Sequence, residues 1–238
     1  MQWIHSIPLC SLLFQFIAAQ SPGPGPPAQP TQTDLSEVKQ AFIREGIVPD
    51  VLTDFDPQLM MTVVYPPGST PTDIIVQPGQ RIPEKLAGLP PRVLLSVPQS
   101  GHFMNLTHAT PDSAFTFFIL DPDAPSRRTP SAREYLHMMA TDVRLIPLGR
   151  ETPWRYELDI SGGRVAVPYM SPQPPPGTGP HRYVFLLCPG IIPSIAPLQG
   201  PNASRADFKA QKFIAQSAGL HPPIAGTFVQ IQHTDNDP

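Results

Sequence analysis

The sequence predicts a mainly β fold in one domain, built from short antiparallel strands with a helix near each end. Three observations carry this. Apolar runs of five to seven residues, rich in Val, Ile and aromatic side chains, recur from residue 60 to 120 and again after 160, as buried strands require. Pro- and Gly-rich turns separate them with no helical period between strands, which argues against a βαβ repeat. The 35 prolines and 16 glycines in 238 residues stay below the roughly 25–30% of low-complexity chains, and the length suffices for one ample core.

Taken in order, the chain begins with an apolar run, Ile7 to Ala19, too short to span a bilayer and ending in Ile17-Ala18-Ala19. Small residues at that point suit a signal peptidase, so secretion is expected, with cleavage near Ala19. The preceding residues hold His5 but no Lys or Arg, which leaves a short buried N-terminal helix as the alternative. Residues 20–33 are a proline-rich linker, polyproline-like over Ser21–Pro30, and residues 34–238 form the single domain. A helix is signalled with Asp34 as cap, Leu35, Val38, Ala41 and Phe42 on one face, and Gly46 as stop.

Strands are expected over Met60–Tyr65, Asp73–Gln77, Arg92–Val97, Ala114–Leu120, Arg164–Tyr169, Arg182–Cys188 and Gly226–Gln232. Periodicity does not decide between strand and helix for Glu134–Val143. A second helix should start at the Ser204 cap, bury Ala206, Ala210, Phe213, Ile214 and Ser217, and end at Gly219.

A net charge of −3 gives no footprint for nucleic acid and no polybasic membrane patch. Asn105-Leu106-Thr107 and Asn202-Ala203-Ser204 are glycosylation sequons. Removal of Cys10 with the leader would leave Cys188 alone at the end of an apolar strand, a buried inert thiol with no disulfide partner. The C-terminus carries no apolar tail, so a membrane anchor on the mature chain is not expected.

Polar side chains collect at strand ends next to proline-stiffened loops. Pro122 and Pro125 end the strand at Leu120 and present Asp121 and Asp123 on a stiff loop, where small-ligand sites tend to be built; simple turn hydrogen bonds are the alternative. Tyr135 and His137, Tyr169, and His181-Arg182-Tyr183 occupy comparable places, and Arg182 has the plainer reading of pairing with a carboxylate.

Asp121-Pro-Asp-Ala-Pro-Ser-Arg127, Glu134-Tyr-Leu-His137 and Pro176-Gly-Thr-Gly-Pro-His-Arg-Tyr-Val184, in this order and spacing, resemble the phosphatidylethanolamine-binding protein family, also called the Raf kinase inhibitor or flowering-locus-T-like family. Pro223-Ile-Ala-Gly-Thr-Phe228 is similar to its C-terminal segment. The resemblance covers roughly residues 35–233. It implies a central antiparallel sheet flanked by a smaller sheet and a few helices, with a shallow anion pocket formed by Asp121, Asp123, Tyr135, His137, Tyr169, His181 and Tyr183. Two departures stand out. Tyr135-Leu136-His137 replaces the family's common Trp-His-His, and Val143–Pro153 differs from its usual continuation.

The expected function is therefore non-catalytic binding of a phospholipid head group or similar phosphate-bearing anion, without cofactor. An Asp would hold His137 or His181 as a cationic donor, and the amides of Gly177-Thr178-Gly179 would add neutral ones. Inhibition of a serine carboxypeptidase, an activity of some relatives in the resembled family, is the alternative. Catalysis is not expected: there is no Gly-x-Ser-x-Gly elbow, and Glu134-x-x-His137 lacks the first His of a zinc-protease helix. Asp121, Asp123, His137 and His181 lack the tight spacing of a metal site.

Overall fold

The computed structural model describes residues 27–67, 72–99, 110, 112–199 and 203–233. The leader ending near Ala19, Cys10, most of the linker and the sequon asparagines Asn105 and Asn202 lie outside the described residues. The elements are α1 (Gln32–Arg44), a short helical turn α2 (Ile47–Asp50), β1 (Met60–Tyr65), β2 (Ile74–Val76), β3 (Arg81–Pro83), β4 (Arg92–Ser96), β5 (Phe115–Asp121), β6 (Tyr135–Pro147), β7 (Arg155–Asp159), β8 (Arg164–Val167), β9 (His181–Pro189), α3 (Ala210–Gln216) and β10 (Ala225–Gln232).

The strands form one hydrogen-bonded path, β2-β1-β4-β7-β6-β5-β9-β10-β3, with β8 paired to β6 beside it. The 13-residue β6 belongs to two sheets: its first part pairs with β5 and β8, and Arg144–Pro147 pair with β7. The result is the expected central sheet, a smaller second sheet and a few peripheral helices. All pairings are antiparallel except β3 with β10.

The central sheet is buried on both faces, which explains the near-continuous apolar runs of β5 and β9. Phe115, Phe117 and Ile119 of β5, with Tyr183, Phe185 and Leu187 of β9, face the second sheet. Phe118, Leu120, Val184 and Leu186 face α1 and α3, where they meet Phe42, Phe208 and Ile214. Each such aromatic or aliphatic side chain contributes about 1.5–3 kcal/mol of burial. Cys188 is fully buried in the helix-facing core, and desolvation pushes its thiol far up from its ordinary range.

Three expectations are corrected, and two strands went unread. The cap of α1 is Thr31, not Asp34; Asp34 is the third helical residue of a reciprocal capping box with Thr31. The end of the proline-rich stretch is tied down: Gln29 donates to the Val97 carbonyl and the Gln99 amide to the Pro30 carbonyl. The helix expected from Ser204 starts only at Ala210. Residues 205–208 instead lie along the start of β6, exchanging bonds between Glu134 and Phe208 and passing the Leu136 amide to the Arg205 carbonyl. Tertiary pairing thus overrides a local helix signal. Finally, β7 and β3 went unread, the first for its polar, half-exposed sequence and the second for its three-residue length and Pro83.

Candidate functional site

The end of β5 and the starts of β6 and β9 meet at one edge of the central sheet, because β5 runs antiparallel to both neighbours. Asp121 therefore sits opposite Tyr135, with His181 and Tyr183 on the other side. His137 arrives there by a β-bulge. Ile119 pairs with Met138 and Leu120 with Leu136, so His137 is the extra residue left out of that ladder. Its ring turns to the cavity, and its freed carbonyl accepts the Met170 amide at 2.9 Å.

These residues enclose a cavity of about 250 Å³, walled also by Ala124, Pro125, Ala132, Met170, Ser171, Gln173 and Pro175. Aromatic rings form its sides. His137 meets the edge of Tyr183 with centroids 5.0 Å apart, and Tyr135 lies 5.2 Å from His137. The Tyr135 hydroxyl donates to the Met170 sulfur at 3.6 Å.

Asp121 fixes one histidine. Its Oδ2 lies 2.8 Å from His181 Nδ1, while Oδ1 accepts the Asp123 amide at 2.7 Å. Thr178 donates its hydroxyl proton to the Pro175 carbonyl at 2.7 Å, which leaves an oxygen lone pair 3.1 Å from His181 Nε2. Both ring nitrogens of His181 thus face acceptors.

The second histidine is held differently. His137 Nδ1 donates to the Met170 carbonyl at 2.8 Å, which leaves Nε2 as the other ring nitrogen. Burial pushes the His137 pKa down, opposed by the Met170 bond and the Asp121 charge and reinforced by Arg205 and His181. Neutral His137 with Nδ1 protonated carries a lone pair on Nε2. Burial likewise drives the Tyr183 hydroxyl far above its ordinary range, with the Asp121 charge adding to the effect.

The structure brings Asp121, Tyr135, His137, His181 and Tyr183 together and leaves Asp123 and Tyr169 outside the cavity lining. Asp123 is fully buried against Arg182, accepting from its amide (2.9 Å), Nε (2.9 Å) and Nη2 (2.5 Å). It holds no histidine. Arg182 continues to the Glu45 carbonyl and Asp50 carboxylate, docking the α1–α2 junction, where Gly46 takes a left-handed φ of 70°. Tyr169 donates to the Ala87 carbonyl at 2.7 Å and packs in the core between the sheets. Gly177-Thr178-Gly179 do not line the cavity either, and the Thr178 amide is used by the Pro175 carbonyl. Ala132, Met170 and Gln173 went unread in the sequence because neutral residues on irregular segments carry no periodic signal.

Two other features bear on the choice of site. A larger depression of about 440 Å³ lies between α3 and residues 53–58 and 220–224, but no His, Tyr, Lys or Arg lines it. Among the described residues no group of three or more His, Cys, Asp or Glu is placed to hold a metal ion, and no helix is long and apolar enough to cross a membrane.

Known proteins share this architecture. The carboxypeptidase Y inhibitor of Saccharomyces cerevisiae is 31% identical over 163 residues, 62% of this chain and 70% of that protein. Protein BROTHER of FT and TFL 1 of Arabidopsis thaliana is 35% identical over 203 residues, 83% of this chain and 94% of the other. Among solved structures, the carboxypeptidase Y inhibitor complexed with its cognate proteinase superposes with a TM-score of 0.69 at 24% identity, covering 84% of this chain and 97% of its own. A phosphatidylethanolamine-binding protein from Plasmodium vivax gives 0.60 at 22% identity, over 83% and 98%. Residues 72–228, which span the cavity-forming strands, match the family model described as phosphatidylethanolamine-binding protein, and the chain belongs to that family.

Proposed function

We propose that this is a secreted, non-catalytic binding protein whose cavity takes the phosphate-bearing head group of a phospholipid of the phosphatidylethanolamine kind. The observation that carries the reading is the pair of oriented histidines inside an aromatic-walled cavity of head-group size. His181 is held by Asp121 at Nδ1, with Nε2 3.1 Å from the Thr178 hydroxyl, so its ring is oriented in the cavity wall. His137 contributes a donor only once protonated, because its Nδ1 proton is committed to Met170. Tyr135, Tyr183 and the prolines supply apolar walls for the rest of the head group.

This gives a sign to the pH dependence. The His137 pKa lies below its ordinary value, and a bound anion favours the imidazolium, so binding takes up a proton. Calorimetry with glycerophosphoethanolamine, a phosphodiester whose own charge is constant from pH 5 to 8, isolates the protein's titration. Affinity should rise as pH falls through that window, and a pH-independent affinity would overturn the role given to His137. Mass spectrometry of protein recovered from the culture medium tests secretion, with loss of residues up to about Ala19 as the expected result.

A second reading, inhibition of a serine carboxypeptidase, is favoured by the 31% identity to the yeast inhibitor. Incubation of the mature protein with carboxypeptidase Y decides it. Absence of inhibition at micromolar concentration discards this reading and leaves the first untouched.

A further inference from the structure

The cavity lining contains a carboxylate, Asp121, and two histidines, but no Lys or Arg. For a site proposed to bind an anion, this leaves the charge balance open at neutral pH. A cation lies just behind the wall. Arg205, half-buried on the segment that runs along the start of β6, donates through Nη1 to the carbonyls of Leu136 and His137, each at 3.0 Å, and through Nη2 to the Pro168 carbonyl at 2.9 Å. These are neutral acceptors, and among the described residues no carboxylate forms an ion pair with it. Its charge is therefore not cancelled locally, unlike that of Arg182, which meets Asp123 and Asp50.

We propose that Arg205 is a specificity-determining residue that tunes the cavity for anions, supplying through the His137 peptide the positive charge that the lining lacks. The proposal rests on the anion reading above. The bulge makes the arrangement workable: the His137 carbonyl, outside the β5 ladder, is free to take both the Met170 amide and the guanidinium. Other groups facing the His137 ring are Asp121 from β5, His181 and Tyr183 from β9, and Tyr135 from its own strand. Of these, Asp121 is negative and already bonded to His181, so Arg205 is the fixed cation of the set. Its position also accounts for part of the depressed His137 titration.

A purely structural role, with Arg205 merely stapling β6 to the segment after β8, makes different predictions. Arg205→Lys keeps the charge and loses most of the carbonyl bonds; Arg205→Gln loses the charge and keeps a donor. Both full-length variants and the wild type would be measured by glycerophosphoethanolamine calorimetry at low and moderate salt, and by NMR titration of the His137 ring, with thermal unfolding as a check on folding. At a pH below the His137 titration of all three proteins, a charge role predicts roughly fivefold or greater weakening for Gln with a shallower salt dependence, near wild-type behaviour for Lys and, in the NMR titration, an upward shift of His137 for Gln alone. Equal weakening by both variants with His137 unmoved overturns the proposal. If the wild type itself fails to bind, the anion reading falls, and the His137 titration alone still decides whether the Arg205 charge reaches the cavity.

Discussion

Two acid–base pairs stand side by side on the same two elements and do different work. Asp121 meets His181 and Asp123 meets Arg182, so neighbouring residues of β9 serve carboxylates two apart on the β5 loop. Because side chains alternate along a strand, His181 turns toward the cavity while Arg182 turns toward the helices, where it reaches Glu45 and Asp50. The first pair borders space that a ligand can occupy. The second is closed: both side chains are 0% exposed, and the carboxylate spends its oxygens on three donors from one residue. The motif that looks uniform in sequence thus divides between the cavity wall and the buried scaffold. What separates the halves is which face each basic partner presents.

The largest effect expected from this contrast is on the closed pair. Arg182→Met keeps the aliphatic stem and most of the volume but strands the Asp123 carboxylate without its main partner. Removing one member of a buried pair costs about 3–5 kcal/mol, to be read as a lower midpoint in urea unfolding. A loss below about 1 kcal/mol would mean that Asp123 reaches water or Arg133, whose Nη2 lies 3.9 Å away, and the distinction between site and scaffold would fail.

Glu134 sharpens the comparison as a buried carboxylate that lacks such a partner. It is 3% exposed and accepts the Ala210 amide at 2.8 Å, and burial pushes its pKa from 4.5 to about 7 despite that bond and the charges of Lys209 and Arg133. A folded-state pKa above the unfolded one means stability fully present below pH 4.5 and lost as pH rises through about 7. The loss amounts to about 3 kcal/mol at most, taking 1.36 kcal/mol per unit. Unfolding of Glu134→Gln at several pH values should show this slope removed. An unchanged slope would assign it elsewhere, although His137, with its depressed pKa, works in the opposite sense: its stability is present above its ordinary range and lost as pH falls.

Much of the fold was legible in sequence, for physical reasons. The runs that became β5 and β9 are buried on both faces, and continuous burial leaves continuous apolar sequence. The strand β7, half-exposed on one sheet, leaves no such trace. The grouping of Asp121, Tyr135, His137, His181 and Tyr183 could be drawn only from the order of motifs in a resembled family; the spacing itself does not contain the bulge that aims His137. The separation of Asp123 and Tyr169 from the others was not readable, since it depends on where Arg182 and the Ala87 carbonyl come to rest. Arg205 was hidden for the same reason as the late start of α3: its segment pairs with β6 instead of coiling.

The smallest effect on stability is expected where the open pair is altered with its shape preserved. In Asp121→Asn the remaining carbonyl oxygen can still accept the Asp123 amide that Oδ1 now takes at 2.7 Å. The new NH₂ faces His181 Nδ1, which accommodates it by becoming an acceptor, with the ring proton on Nε2 directed to Thr178. The exchange replaces one hydrogen bond with another and should cost about 1 kcal/mol or less. It also replaces the carboxylate bond that fixes the His181 ring in the cavity wall, so glycerophosphoethanolamine affinity should fall roughly tenfold while the urea midpoint barely moves. Arg182→Met has the reverse ratio of effects. Should Asp121→Asn destabilise the fold as much as Arg182→Met does, both pairs are scaffold, and the cavity's polar groups are there to hold strands together rather than to meet a ligand.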